Sequence, residues 1–262
     1  MISVASRRFA GLAQGGPALF MFCLMILPMA LLSACRSQLE EQQLQGISLG
    51  TGYHITLYAD LGDSDRAVLE TGIQGELAQL ERQRSVLLRH VNTAFSGPGL
   101  PLSRLSGAVL GELDRLIHAL AVDRLTAWLA ELGIDHSLVE VGGVIRAQGM
   151  PPGAAWRLSL EHAGLPKHDD SRRVHLKDGA LVHRLANHAN APSADGPKML
   201  GVTVMAATAS EASRQALWLS RVEPDVAMAV ATSTDSAVRI VVRSRQGIEI
   251  QNTAALESWL EP

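Results

Sequence analysis

Two cysteines, Cys23 and Cys35, are all that the 262 residues contain, and both lie near the N-terminus. Cys35 closes the run Leu32-Ser33-Ala34-Cys35, after a stretch from 17 to 34 that is apolar, small and uncharged and is preceded by Arg7 and Arg8. A basic start, an apolar middle and small residues before the cleavage point make a secretory signal. A cysteine at that point makes it a bacterial lipoprotein signal, with residues 1–34 removed and Cys35 lipidated. The alternative is an uncleaved anchor. A span needs about 20 apolar residues, so the stretch is borderline, and Pro28 followed by Leu-Leu-Ser-Ala-Cys fits processing better. With Cys23 removed and Cys35 acylated, no internal disulfide can form, and the fold must stand on packing alone.

The 228 residues from Cys35 onward suffice for a large domain with its own core, and no second boundary is visible. Loss of Arg7 and Arg8 leaves 21 basic side chains against 26 acidic ones, so the net charge falls from −3 to −5. That balance argues against nucleic acid, which calls for a basic surface. Residues 35–45 are polar and lack turn signals, and they read as a tether between the lipid and a body over 46–262.

Along that body, Gly46 to Tyr58 reads as one strand with a glycine-rich entry, Leu49-Gly50-Thr51-Gly52-Tyr53. Leu69, Ile73, Leu77 and Leu80 recur at helical spacing, which predicts a surface helix from Ser64 to about Ser85. After Gly97-Pro98-Gly99-Leu100-Pro101 a longer helix is predicted from about Ser106 to Leu132, with Gly133 as its C-cap. Strand signals follow at Ser137–Ala147, Trp156–Glu161 and Val174–Val182. His183 to Lys198 then reads as a long exposed loop, of the kind that often carries function. Gly201–Met205 predicts a strand, Ser210–Arg221 a helix, and Pro224–Thr232 a helix with proline in its first turn. Ala237–Val242 and Gly247–Ile250 predict a terminal hairpin. Without a regular βαβ repeat, the fold class is α+β, a mixed sheet with packed helices.

Generic motifs are uninformative. Gly142-Gly143 lacks the spacing of a dinucleotide fingerprint, and no phosphate-binding GxxxxGK[ST] occurs. A lone Gly-Gly in a strand reads as a bulge or a close backbone approach. His183 and His188, five apart, miss the spacing that puts two imidazoles on one helical face, and read as loop histidines. His168-Asp169-Asp170 reads as a solvated charge run.

A distributed pattern says more. Leu49-Gly50-Thr51-Gly52-Tyr53, Ala121-Val122-Asp123-Arg124-Leu125, Val139-Glu140-Val141-Gly142-Gly143-Val144-Ile145-Arg146-Ala147, Trp156-Arg157-Leu158, and Val202-Thr203-Val204 followed by Thr208-Ala209-Ser210-Glu211-Ala212 together resemble the ApbE family of FAD:protein FMN transferases. The likeness runs over residues 46 to 255, and the block around Gly142-Gly143 is its most specific part. It implies an ApbE-like (T-fold-like) domain and a magnesium-dependent reaction. FAD binds in a cleft, the metal neutralises the pyrophosphate, a threonine of a partner protein attacks, FMN becomes attached, and AMP leaves. On this likeness Thr51, Asp123, Gly142, Gly143 and His188 would be cofactor-binding, and Ser213 would stand at a metal position. The partner would be a flavinylated membrane or periplasmic protein. The family's lipoproteins are commonly periplasmic, which agrees with a cell-envelope location and anchoring through lipid on Cys35.

The chain departs from the family at several positions. The family's Ala-Lys-Gly-Tyr-Ala-x-Asp run is Ile117-His118-Ala119-Leu120-Ala121-Val122-Asp123 here, with His118 in place of lysine, and about fifty residues before it are missing near 111–116. The family's Ala-x-Ala-Thr-Ser-Gly run corresponds to Ala180-Leu181-Val182-His183-Arg184-Leu185. Near His188 and Pro192 the family's aspartate is gone. On the helix after Val204, the family's aspartate and threonine, four apart, are Ser213 and Leu217. Magnesium wants oxygen ligands, carboxylate first, and leucine supplies none. Two readings follow: a transferase that is weak or inactive, or a non-catalytic envelope lipoprotein that binds flavin or a flavoprotein partner. A third is that the likeness is one of fold alone.

Overall fold

The computed structural model describes residues 39–95, 107–160, 172–186 and 197–261. Residues 1–34, Cys35, His168-Asp169-Asp170 and His188 lie outside them.

Alternation along the strands organises the described part, because successive side chains leave opposite faces of a sheet. Eight strands form one sheet: β1 (Glu40–Ser48), β2 (Thr51–Ala59), β3 (Ser137–Val141), β4 (Val144–Gln148), β7 (Gly179–Leu185), β8 (Lys198–Ala206), β9 (Ala237–Ser244) and β10 (Gly247–Asn252), in that spatial order. β5 (Trp156–Ser159) and β6 (Arg173–Leu176) pair separately. Neighbouring residues go to different cores: Val182, Val204 and Val238 join one apolar cluster, while Leu181, Met205 and Ala237 join another. The first cluster is closed by four helices, α1 (Asp63–Phe95), α2 (Gly107–Glu131), α3 (Ala209–Leu219) and α4 (Pro224–Ser233). The second is closed by β5, β6 and the short α5 (Ala254–Glu257), through Trp156, Leu176 and Leu256, and by Leu260 just after α5. The class is α+β, as expected, but every ladder among the described residues is antiparallel rather than mixed.

Four expectations are corrected. The tether over 35–45 gives way at Glu40 to β1, which pairs along its whole length with β2 and buries Leu44. An edge strand with one wet face is as polar as a linker, and only its partner distinguishes them. The single strand over Gly46–Tyr58 is a hairpin, turning at Leu49 (φ 51°) and Gly50 (φ 76°). Both positive angles mark the two-residue turn whose twist suits a hairpin. The first long helix runs on to Phe95, since no glycine or proline stands between Ser85 and Gly97. The exposed loop expected from His183 does not begin there. His183, Arg184 and Leu185 belong to β7, opposite Thr203, Val202 and Gly201 of β8, and Arg184 is buried.

α2 ends as its sequence predicts. Gly133 adopts φ 80°, its N–H donates to the Ala130 carbonyl, and the Ile134 N–H reaches back to Leu129. These paired bonds satisfy the carbonyls of the last helical turn, and a left-handed residue is needed to form them.

Candidate functional site

The Gly142-Gly143 pair is the turn of the β3–β4 hairpin, with φ 58° and 82°, rather than a bulge. Its close backbone approach is real. A Cβ on Gly142 would lie 2.5 Å from His118 Nδ1, so only glycine lets α2 bring His118 against the turn. The Gly142 N–H donates to the Gly52 carbonyl (3.2 Å), which joins this turn to the β1–β2 hairpin. His118 Nε2 donates to the Leu49 carbonyl (3.2 Å). Leu49, 6% exposed, is held in a left-handed conformation that residues other than glycine seldom adopt.

Three of the sequence blocks meet at one carboxylate. Asp123 Oδ1 accepts from Arg146 Nη1 (2.7 Å) and from the Ala209 N–H (2.8 Å), and Oδ2 accepts from the Ser210 N–H (2.8 Å). Thr208 caps the same helix, its Oγ1 accepting from the Glu211 N–H at 3.2 Å. The first amides of α3 thus gain acceptors, and a negative charge sits at the positive end of the helix. Asp123 is a positioning residue that locks α2, β4 and the start of α3 together.

A cleft of about 160 Å³ opens beside the glycine turn. Gly142 and Gly143 line it, as do Ser213 and Leu217 of α3. Of the residues predicted for the site, the structure therefore unites Gly142, Gly143 and Ser213. Thr51 and Asp123 are not among the described residues that line it. Thr51 begins β2 opposite Ser48, directly after the Leu49-Gly50 turn.

The cleft also contains charged groups that sequence reasoning missed. Arg184 of β7, 6% exposed, forms an ion pair with Glu112 of α2, and its Nε donates to Ser220 Oγ at 2.7 Å. Arg221 Nη2 lies 3.8 Å from the same Glu112 oxygen. Arg115 also lines the cleft, and it is exposed. An arginine inside the apolar run Ala180–Leu185 was the available clue, because a buried guanidinium requires a carboxylate partner. Two oxygens on residues that line the cleft are buried without a partner among the described residues, Ser213 Oγ and Glu112 Oε2.

These donors do not suit magnesium. Glu112 is committed to arginine, Leu217 offers no oxygen, and the Arg184 guanidinium already places a positive charge in the cleft. Among the described residues, no three of His, Cys, Asp and Glu group closely enough to hold a metal ion. The volume is also small beside the roughly 300–1,000 Å³ of sites that enclose drug-sized ligands.

An antiparallel sheet covered by helices on one face, with a glycine hairpin and an acid-capped helix flanking a cleft, defines an α+β protein. The ApbE family model matches residues 112–242, half of the chain, and the chain belongs to that family. It is 22% identical over 200 residues to an FAD:protein FMN transferase of Haemophilus influenzae, a match that takes in 69% of this chain and 57% of that protein. The chain thus spans little more than half of that curated relative's length. The fold is similar to that of the flavin transferase ApbE from Vibrio cholerae, with TM-score 0.64 at 16% identity, covering 84% of this chain and 99% of that one. It is likewise similar to the apo flavinyl transferase ApbE of Pseudomonas stutzeri, with TM-score 0.61 at 16% identity, covering 85% and 97%.

Proposed function

We propose that this chain is a lipid-anchored, periplasm-facing member of the ApbE family in which magnesium-dependent transfer of FMN from FAD to a partner's threonine is weak or lost. One observation carries the reading: the cleft in which a metal and a pyrophosphate would meet holds an ion pair between the buried Arg184 and Glu112. Phosphoryl transfer depends on positioned charge and on metal ligands. A guanidinium fixed by a carboxylate offers charge but no open coordination position. The location rests on the lipoprotein signal that ends at Cys35.

The test is to incubate the full chain with FAD, magnesium and a target protein bearing the acceptor threonine, then to read the target's intact mass. No FMN adduct is expected over hours. Covalent transfer at the rate of an active flavin transferase would overturn the proposal.

A binding role for flavin or a flavoprotein partner is the second reading, favoured by Trp218. It is 47% exposed on α3, next in sequence to the cleft residue Leu217. FAD that binds there would quench its fluorescence, and unchanged emission at high micromolar FAD would leave only protein partners.

A further inference from the structure

We infer that the cleft beside Gly142-Gly143 is a metal-free site for a terminal phosphate group, either a phosphate monoester or inorganic phosphate, bound with one P–OH retained. The inference rests on the preceding reading that no divalent ion works in this cleft. Its own basis is the set of hydrogen-bonding groups that lack a partner. Ser213 is 5% exposed and lines the cleft, and its hydroxyl has no partner. A buried hydroxyl left unsatisfied costs free energy, so such groups normally have a partner. Arg115 lines the same cleft and makes no ion pair among the described residues, so its guanidinium is available to an anion.

Glu112 decides which anion. Its Oε1 is taken by Arg184 and approached by Arg221, while Oε2 is buried and lacks a donor. A fully deprotonated oxyanion would face that oxygen with like charge. A phosphate that keeps one proton resolves the conflict. Its P–OH donates to Glu112 Oε2, and its other oxygens accept from Arg115 and Ser213. Sulfate carries no proton near neutral pH and cannot do this. The bridging pyrophosphate of a dinucleotide carries none either. The volume of about 160 Å³ accommodates a single phosphate group.

The experiment is isothermal titration of the full chain in mild detergent at about pH 6, near the second ionisation of a phosphate monoester. Phenyl phosphate, inorganic phosphate and sulfate are each titrated with and without EDTA. Both phosphates are expected to bind, sulfate at least about tenfold more weakly, with EDTA making no difference. Tighter binding of phenyl phosphate than of inorganic phosphate marks a monoester as the ligand, and the reverse marks free phosphate. Ser213→Ala and Arg115→Gln should each weaken phosphate about tenfold with unchanged circular dichroism. Glu112→Gln, which keeps an acceptor for Arg184 and adds a donor, should bring sulfate level with phosphate. Equal affinity for sulfate and phosphate in the unaltered protein, or no phosphate binding with or without magnesium, overturns the site. Phosphate binding that EDTA abolishes overturns the metal-free reading instead.

Discussion

Replacing Asp123 with alanine should destabilise the protein far more than it alters any ligand contact. The carboxylate accepts three hydrogen bonds, at 2.7, 2.8 and 2.8 Å, from Arg146 and from two first-turn amides of α3. Hydrogen bonds to a charged group contribute about 1.5 kcal/mol each at the low end of their range, which gives about 4.5 kcal/mol. The side chain is 16% exposed and Arg146 25% exposed, so water replaces part of what is lost and the net cost falls to about 3 kcal/mol. For a domain of this size each kcal/mol moves the melting temperature by about 2–4 °C, so Asp123→Ala should melt about 6–12 °C lower. Asp123→Asn keeps one carbonyl acceptor and should lose about half as much. Thermal melts followed by far-UV circular dichroism measure both, and a double-mutant cycle with Arg146→Gln should give strong non-additivity. A shift below about 2 °C for Asp123→Ala would refute this account. So would an asparagine variant of native stability that had lost ligand binding, since that would make Asp123 a ligand contact.

The glycines of the second hairpin should differ from each other. Gly142→Ala puts a Cβ 2.5 Å from His118 Nδ1 at φ 58° and should cost about 2–4 kcal/mol, whereas Gly143→Ala meets nothing within 4 Å and should cost about 1 kcal/mol for its φ of 82°. Denaturant melts of the two variants test this, and equal costs would refute it. The chain's two tyrosines should both titrate above the ordinary value of 10.0: Tyr58 because it donates to Glu41 at 2.8 Å, and Tyr53 because burial disfavours the phenolate. A phenol whose folded pKa is raised contributes stability that is complete below the unfolded value and is lost as pH rises through the folded one. Absorbance titration at alkaline pH should show less than half of the phenolate formed at the ordinary midpoint in the native protein. Glu41→Gln should return Tyr58 toward it.

The sequence alone determined features that depend on near neighbours in the chain. Gly133 ends α2 because only a left-handed residue completes that cap, Thr208 starts α3 through a bond to the amide three residues on, and Pro224 opens α4. Apolar periodicity likewise revealed the helices and the terminal hairpin, and the spaced blocks revealed the family. What could not be read was which residues meet. The polar run Glu40–Gln45 became a strand because β2 lies beside it, and Asp123 became a helix anchor because Ala209 and Ser210 arrive from 86 and 87 residues away. The Arg184–Glu112 pair joins residues 72 apart, and neither position alone tells that the other will neutralise it. Local rules act through a few bonds of backbone geometry, whereas the cleft's charge arises from side chains that only tertiary packing brings within a few ångströms. The family was therefore legible in the sequence, and the chemistry of its cleft had to wait for the fold.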